Sequence, residues 1–158
     1  AVLRGTFQYN AAPEAMARAA GALTPLLEEA GAFITTFIAR LDTGSGALEY
    51  IDAGHGLALI LRPDGTWRRL ASSGPPLGVL PDWTWDLHTD ALAPGETLLV
   101  VSDGFLDFFT DLHEAVATAA ALNSLAATAE ELVVLCNDYA DSAVAEDDTT
   151  VLALRRVG

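Results

Sequence analysis

Leu92-Ala93-Pro94-Gly95-Glu96-Thr97-Leu98-Leu99-Val100-Val101-Ser102-Asp103-Gly104 is the stretch on which the fold turns. Pro94-Gly95-Glu96 is a turn signal, Thr97 to Val101 is a mainly apolar run, and Ser102-Asp103-Gly104 ends it. A short run of this kind closed at both ends by turn residues reads as a buried central strand. Downstream the period becomes helical, over Asp111–Leu125 and again over Thr128–Tyr139, with Thr128 as N-cap and Glu131 completing a capping box. The chain closes with Asp147-Asp148 and a strand from Thr149 to Leu154.

Upstream, Trp83–Leu87 alternates as a strand, and Gly74-Pro75-Pro76-Leu77-Gly78 is too rich in Gly and Pro for regular structure. Residues 33 to 70 read as a four-strand meander. Its strands are Phe33–Leu41, Ala47–Ala53, Leu57–Leu61 and Thr66–Leu70, with turns at Asp42-Thr43-Gly44-Ser45-Gly46 and Arg62-Pro63-Asp64-Gly65. Ahead of it, Ala11–Leu27 has helical spacing through Met16, Ala20, Leu23 and Leu27, with Asn10 as N-cap and Pro13 in the first turn. Pro25 is expected to break that helix, and Gly31 to close the stretch. Helices thus flank a block of antiparallel strands instead of alternating with single strands, which defines a layered α+β fold.

The 158 residues, 51% of them hydrophobic, suffice for one domain with a buried core, so residues 1–158 are read as a single domain. Eight basic residues, all arginine, stand against 22 acidic ones, for a net charge of −14. That balance argues against nucleic acid, whose phosphates need cationic patches. No apolar run approaches the roughly 20 residues that cross a bilayer, so no membrane insertion is expected. Cys136 is the one cysteine and can form no intrachain disulfide, which is compatible with a reducing, cytoplasmic setting. The chain opens at Ala1 in a segment, Ala1–Tyr9, that reads as the middle of something longer.

Three places could hold chemistry. Asp103 ends a buried strand and is followed by Gly104, so it is either an ordinary turn or a carboxylate held at the rim of a sheet. Asp147 and Asp148 enter the last strand from a loop that also contains Asp141 and Glu146. That density of charge is either solvated or neutralised by a hard cation such as Mg²⁺ or Mn²⁺. His55, between Gly54 and Gly56 at a strand end, is placed by a tight bend and is either a structural hydrogen-bonder or a functional imidazole. Ser102 lacks a Gly-x-Ser-x-Gly elbow, so serine nucleophile chemistry has no support.

Taken in order, Phe33-Ile34-Thr35-Thr36, Gly46 through Ala53-Gly54-His55, Ser73-Gly74-Pro75-Pro76-Leu77-Gly78-Val79, Leu92 through Leu99, Ser102-Asp103-Gly104 and Asp147-Asp148-Thr149-Thr150 form a single pattern. It resembles the SpoIIE/RsbU-type branch of the metal-dependent serine/threonine protein phosphatases (the PPM superfamily), over nearly the whole chain. The resemblance implies a β-sandwich of antiparallel sheets with helices outside, and a centre of two Mn²⁺ or Mg²⁺ ions whose bound hydroxide attacks phosphorus in line. It implies Asp103 and Asp147 as metal ligands acting through metal-bound water, Asp148 as a weaker or outer ligand, and Gly104, Gly54 and His55 as structural neighbours of the site. It further implies a cytoplasmic role in sigma factor regulation, with a phosphorylated anti-anti-sigma factor of the STAS type as substrate.

Two departures stand out. Asp107 occupies a position where the family commonly has glutamate, and nothing in residues 1–32 resembles the family's Gly-Asp-x-x-Asp segment, since Glu14, Glu28 and Glu29 are helical. The expectation is therefore a domain lacking its N-terminal strands, with unpaired sheet edges that favour a homodimer. It leaves two functional readings, a phosphatase or a non-catalytic regulatory pseudophosphatase that binds protein.

Overall fold

The computed structural model describes residues 12–141 and 148–158. Asn10, the segment Ala1–Tyr9 and Asp147 lie outside the described residues. The chain divides into two compact units, one formed by residues up to Gly56 with Ala71–Ala91, the other by Leu57–Leu70 with Leu92–Gly158. Each is an antiparallel sheet with helical cover, so the α+β reading holds.

In the first unit, helix α1 (Ala12–Ala30) accompanies a sheet of β1 (Thr36–Leu41), β2 (Ala47–Ala53) and β5 (His88–Ala91) in the order β1-β2-β5. Ala12, Met16 and Leu27 of α1 pack with Ile51, Ala53, Leu77 and Trp85. The β1–β2 hairpin closes through Asp42, whose Oδ1 accepts from the Ser45 amide (2.7 Å) and hydroxyl (2.8 Å). Pro25 lies inside α1 and does not end it. The helix runs on to Gly31, whose left-handed φ of 60° lets its own amide reach the Glu28 carbonyl and the Ala32 amide the Leu27 carbonyl. That double bond pattern is a Schellman stop. Burial of the α1 face outweighs the lost Pro25 hydrogen bond, so the expected break is corrected to a continuous helix.

The second unit has a sheet in the order β4-β3-β6-β7, from β3 (Ala58–Leu61), β4 (Trp67–Arg69), β6 (Thr97–Val101) and β7 (Val151–Arg155). Leu59, Leu61, Leu99 and Val101 share one core with Phe105, with Ala115, Val116, Ala119 and Ala120 of α2 (Leu112–Leu125), and with Leu132 and Cys136 of α3 (Ala129–Asp141). The central position of β6, between β3 and β7, matches its apolar run, and Thr97 and Leu99 are fully buried. Asp111 caps α2 by accepting from the Glu114 amide. Thr128 Oγ1 accepts from the Glu131 amide, and Glu131 Oε2 from the Ala127 amide, so the capping device stands one residue wider than the usual box.

The four-strand meander is corrected. β2 pairs with β1 on one side and with β5 on the other, whereas β3 and β4 form a hairpin in the other sheet. The chain changes sheet at Gly54-His55-Gly56, where both glycines have left-handed φ (72° and 70°). The Asp52 carboxylate fixes that bend by accepting the amides of His55 (2.8 Å) and Gly56 (2.8 and 3.0 Å). A second correction concerns Trp83–Leu87, which is not a strand; β5 begins at His88. Trp85 Nε1 donates to the Pro75 carbonyl at 2.7 Å and the Trp83 indole lies over Gly74. These rings anchor the Gly-Pro-Pro loop, and the segment between them follows the loop, not a ladder.

Candidate functional site

The site is built where β6 and β7 end together. Their ladder runs from Thr97↔Arg155 to Val101↔Val151, so the residues just past it, Ser102 to Gly104 on one side and Asp148 to Thr150 on the other, emerge at one edge. Ser102 joins the two segments. Its amide donates to the Thr150 carbonyl (2.9 Å), its hydroxyl accepts from the Thr150 amide (2.8 Å), and the same hydroxyl donates to the Asp148 carbonyl (3.2 Å). Asp103 follows as the first residue of a 3₁₀ helix, Asp103–Phe108, and is exposed, as are Asp107 and Asp148. Gly104 is buried beside Phe105, which roots that helix in the core. The structure thus places Asp103 and Asp148 at one sheet edge.

Sequence reasoning dismissed Ser102 as a nucleophile and missed this positioning role. The available signal was a hydroxyl residue directly ahead of the strand-ending Asp-Gly, one ladder step from Thr150.

Gly54 and His55 occupy the first unit's sheet-leaving bend. Gly54 approaches Pro76 so closely that a Cβ there would stand 2.5 Å from the ring carbons and 2.7 Å from the Pro76 nitrogen. Parallel bridges join Thr36 to Gly54 and Ala53 to Gly74, so the Ala-Gly-His and Gly-Pro-Pro segments are neighbours in space. The His55 ring is 6.3 Å from that of Phe37, and its Nε2 is buried with no hydrogen-bond partner among the described residues. Asp52, fully buried and missed by sequence reasoning, is the residue that holds this bend.

A second carboxylate is structural. Glu96 is buried, with Oε1 taking Arg62 Nε (3.0 Å) and Arg68 (3.1 Å), and Oε2 taking the Ala93 amide (2.9 Å). Burial alone would raise its pKa, but the Ala93 amide and the two arginines outweigh it and hold the carboxyl below the usual glutamate range.

Carboxylate oxygens suit a hard divalent cation, and the Asp103/Asp148 edge provides such donors. Among the described residues, however, no three His, Cys, Asp or Glu converge on one point, so these residues by themselves do not complete a metal site.

Antiparallel sheets with helical cover match the fold of PP2C phosphatase domains. The family model of stage II sporulation protein E matches residues 1–157, and the chain belongs to that SpoIIE family. Protein IcfG of Synechocystis is 30% identical over 131 residues, 78% of this chain and 21% of that protein. Phosphoserine phosphatase RsbP of Bacillus subtilis is 29% identical over 80 residues, 51% of this chain and 20% of RsbP. The chain therefore spans about a fifth of the length of these curated relatives. The solved RsbU and RsbW domains of a Mycobacterium tuberculosis protein superpose with a TM-score of 0.82 at 23% identity, over 99% of this chain and 45% of that one. The PstP catalytic domain, solved with two manganese ions, superposes with a TM-score of 0.71 at 15% identity, over 96% of this chain and 78% of that one.

Proposed function

We propose that this chain is part of a metal-dependent phosphatase that removes phosphate from serine or threonine of a bacterial regulatory protein, of the STAS anti-anti-sigma type by family resemblance. The observation that supports it most is the Ser102 hydroxyl, which ties the backbone of Asp148 and Thr150 to the strand end bearing Asp103. The clamp brings the backbones of two acid-bearing segments to one end of the ladder, where carboxylate oxygens suit a hard cation. In this reading Asp103 and Asp147 are ligands, Asp148 is a weaker or outer ligand, and Gly104 lets the backbone approach. Bound Mn²⁺ or Mg²⁺ supplies an activated water. The chain's own contribution is to fix donor positions before the ion arrives.

The partner assignment is supported by RsbP, named a phosphoserine phosphatase, and by the structure in which an RsbU domain and an RsbW domain share one protein. A cytoplasmic location follows from that partner class. A second reading, a non-catalytic module that keeps the partner surface, is favoured by one observation. Glu14, Glu28 and Glu29, the described acids nearest the start, are all exposed on α1.

The test is Mn²⁺-dependent hydrolysis of p-nitrophenyl phosphate and of a phosphoserine peptide by this chain, beside Asp103→Asn. Metal-dependent turnover lost in the variant supports the enzyme. No turnover in either, with Mn²⁺ bound by the folded chain, would support the binding module, and equal turnover in both would remove Asp103 from the site.

A further inference from the structure

The first unit contains a cavity of about 470 Å³ between α1 and the loop Leu80–Trp85. Its volume falls in the range of ligand pockets, roughly 300–1,000 Å³. Glu28 and Asp82 line it, Trp83 forms a wall that is 42% exposed, and no arginine among the described residues lies along it. Gly21 and Pro25 face each other across one helical turn of the same wall. Pro25 has no N–H, so the Gly21 carbonyl lacks the donor an α-helix would otherwise give it. The lining is mainly apolar, with two carboxylates of one sign and an aromatic ring.

The loop is also built to stay in place. Trp83 packs on Gly74, Trp85 is tied to the Pro75 carbonyl, and Asp82, at φ 60°, is the one non-glycine residue with left-handed φ among those described. Aspartate tolerates that conformation better than most residues, so it presents a charge where a turn needs a special backbone.

We propose that this cavity binds an arginine side chain of a protein partner. A guanidinium brings five N–H donors and a permanent charge, which complement two carboxylates, and its plane stacks on an indole. Leu80, exposed and part of the lining, fits the apolar neighbour of an arginine carried on a chain better than a free small cation. The net charge of −14 favours approach of a basic segment.

The probes are two synthetic ligands, acetyl-Ala-Leu-Arg-Leu-Ala-amide and its citrulline isostere, titrated into the chain while the indole N–H resonances are followed by NMR. The arginine peptide should shift the Trp83 signal saturably and bind at least tenfold tighter than the citrulline peptide. Glu28→Gln and Asp82→Asn should each weaken it at least threefold, and Glu14→Gln, on the same helix outside the cavity, should not. Equal binding of the two peptides, or equal loss in Glu14→Gln, overturns the site. Argininamide binding as tightly as the arginine peptide overturns the assignment to a protein partner. None of these outcomes depends on phosphatase activity.

Discussion

Replacing Gly54 by alanine tests whether the Ala-Gly-His bend and the Gly-Pro-Pro loop are one structural unit. Two costs are separable. Gly54 has a φ of 72°, and holding an alanine in the left-handed region costs about 1–2 kcal/mol. The new Cβ would also lie 2.7 Å from the Pro76 nitrogen and 2.5 Å from its ring carbons. Pro76 cannot rotate away, because its ring is fused to the backbone, so the loop itself must move. Overpacking of this kind costs a further 1–3 kcal/mol or so. Gly31 supplies the internal control. Its φ is 60°, yet a Cβ there meets nothing within 4 Å, so Gly31→Ala bears the conformational cost alone. Gly54→Ala should therefore destabilise by about 2–5 kcal/mol against about 1–2 for Gly31→Ala. In thermal melts the gap corresponds to roughly 2–4 °C per kcal/mol for a chain of this size. Urea unfolding of both variants beside the parent reads the difference. Equal destabilisation would refute the close approach of Gly54 to Pro76 and, with it, the coupling of the two motifs.

Further outcomes follow from the same geometry. Asp52→Ala should cost about 2–4 kcal/mol, since it strands the His55 and Gly56 amides in a part-buried bend; unchanged urea stability would show that the carboxylate does not hold it. Ser102→Ala should lose about 1 kcal/mol in stability but weaken Mn²⁺ binding at least fivefold, because the Asp148 loop loses its anchor; calorimetric titration showing unchanged affinity would remove the positioning role. Glu96 has a lowered pKa, so its stabilisation is complete above the ordinary glutamate pKa and fades as pH falls through the lower folded value. Urea midpoints from pH 6 to pH 3 should accordingly fall more steeply for the parent than for Glu96→Gln, and parallel curves would contradict this. Burial pushes the Cys136 thiol up to about 11, so a disulfide-exchange reagent at pH 8 should label it only after unfolding; rapid labelling of the folded chain would contradict its burial.

Local chemistry was legible in the sequence. The β6 run, the Thr128 cap, the Asp42 turn and the glycine after α1 each depend on neighbours within a few residues, and all are found where the residues place them. The motif order was equally legible, because it is linear, and it led to the family. Pairing between distant segments was not. Whether Ala58–Leu61 continues the sheet of β2 or starts another depends on the bend fixed by Asp52 and on β6, which lies far along the chain. An apolar run specifies burial but not its partner. Pro25 inside α1 and the Trp83–Leu87 segment failed for the same reason, since packing against Ile51 and Leu77 and anchoring on Gly74 and Pro75 outweighed local propensity. At the candidate site the sequence supplied Asp103 and Asp148 as separate acids 45 positions apart. Only the β6–β7 register, locked by the Ser102 hydroxyl, brings them to one edge, because hydrogen bonds across a ladder act on distance in space and not on distance along the chain.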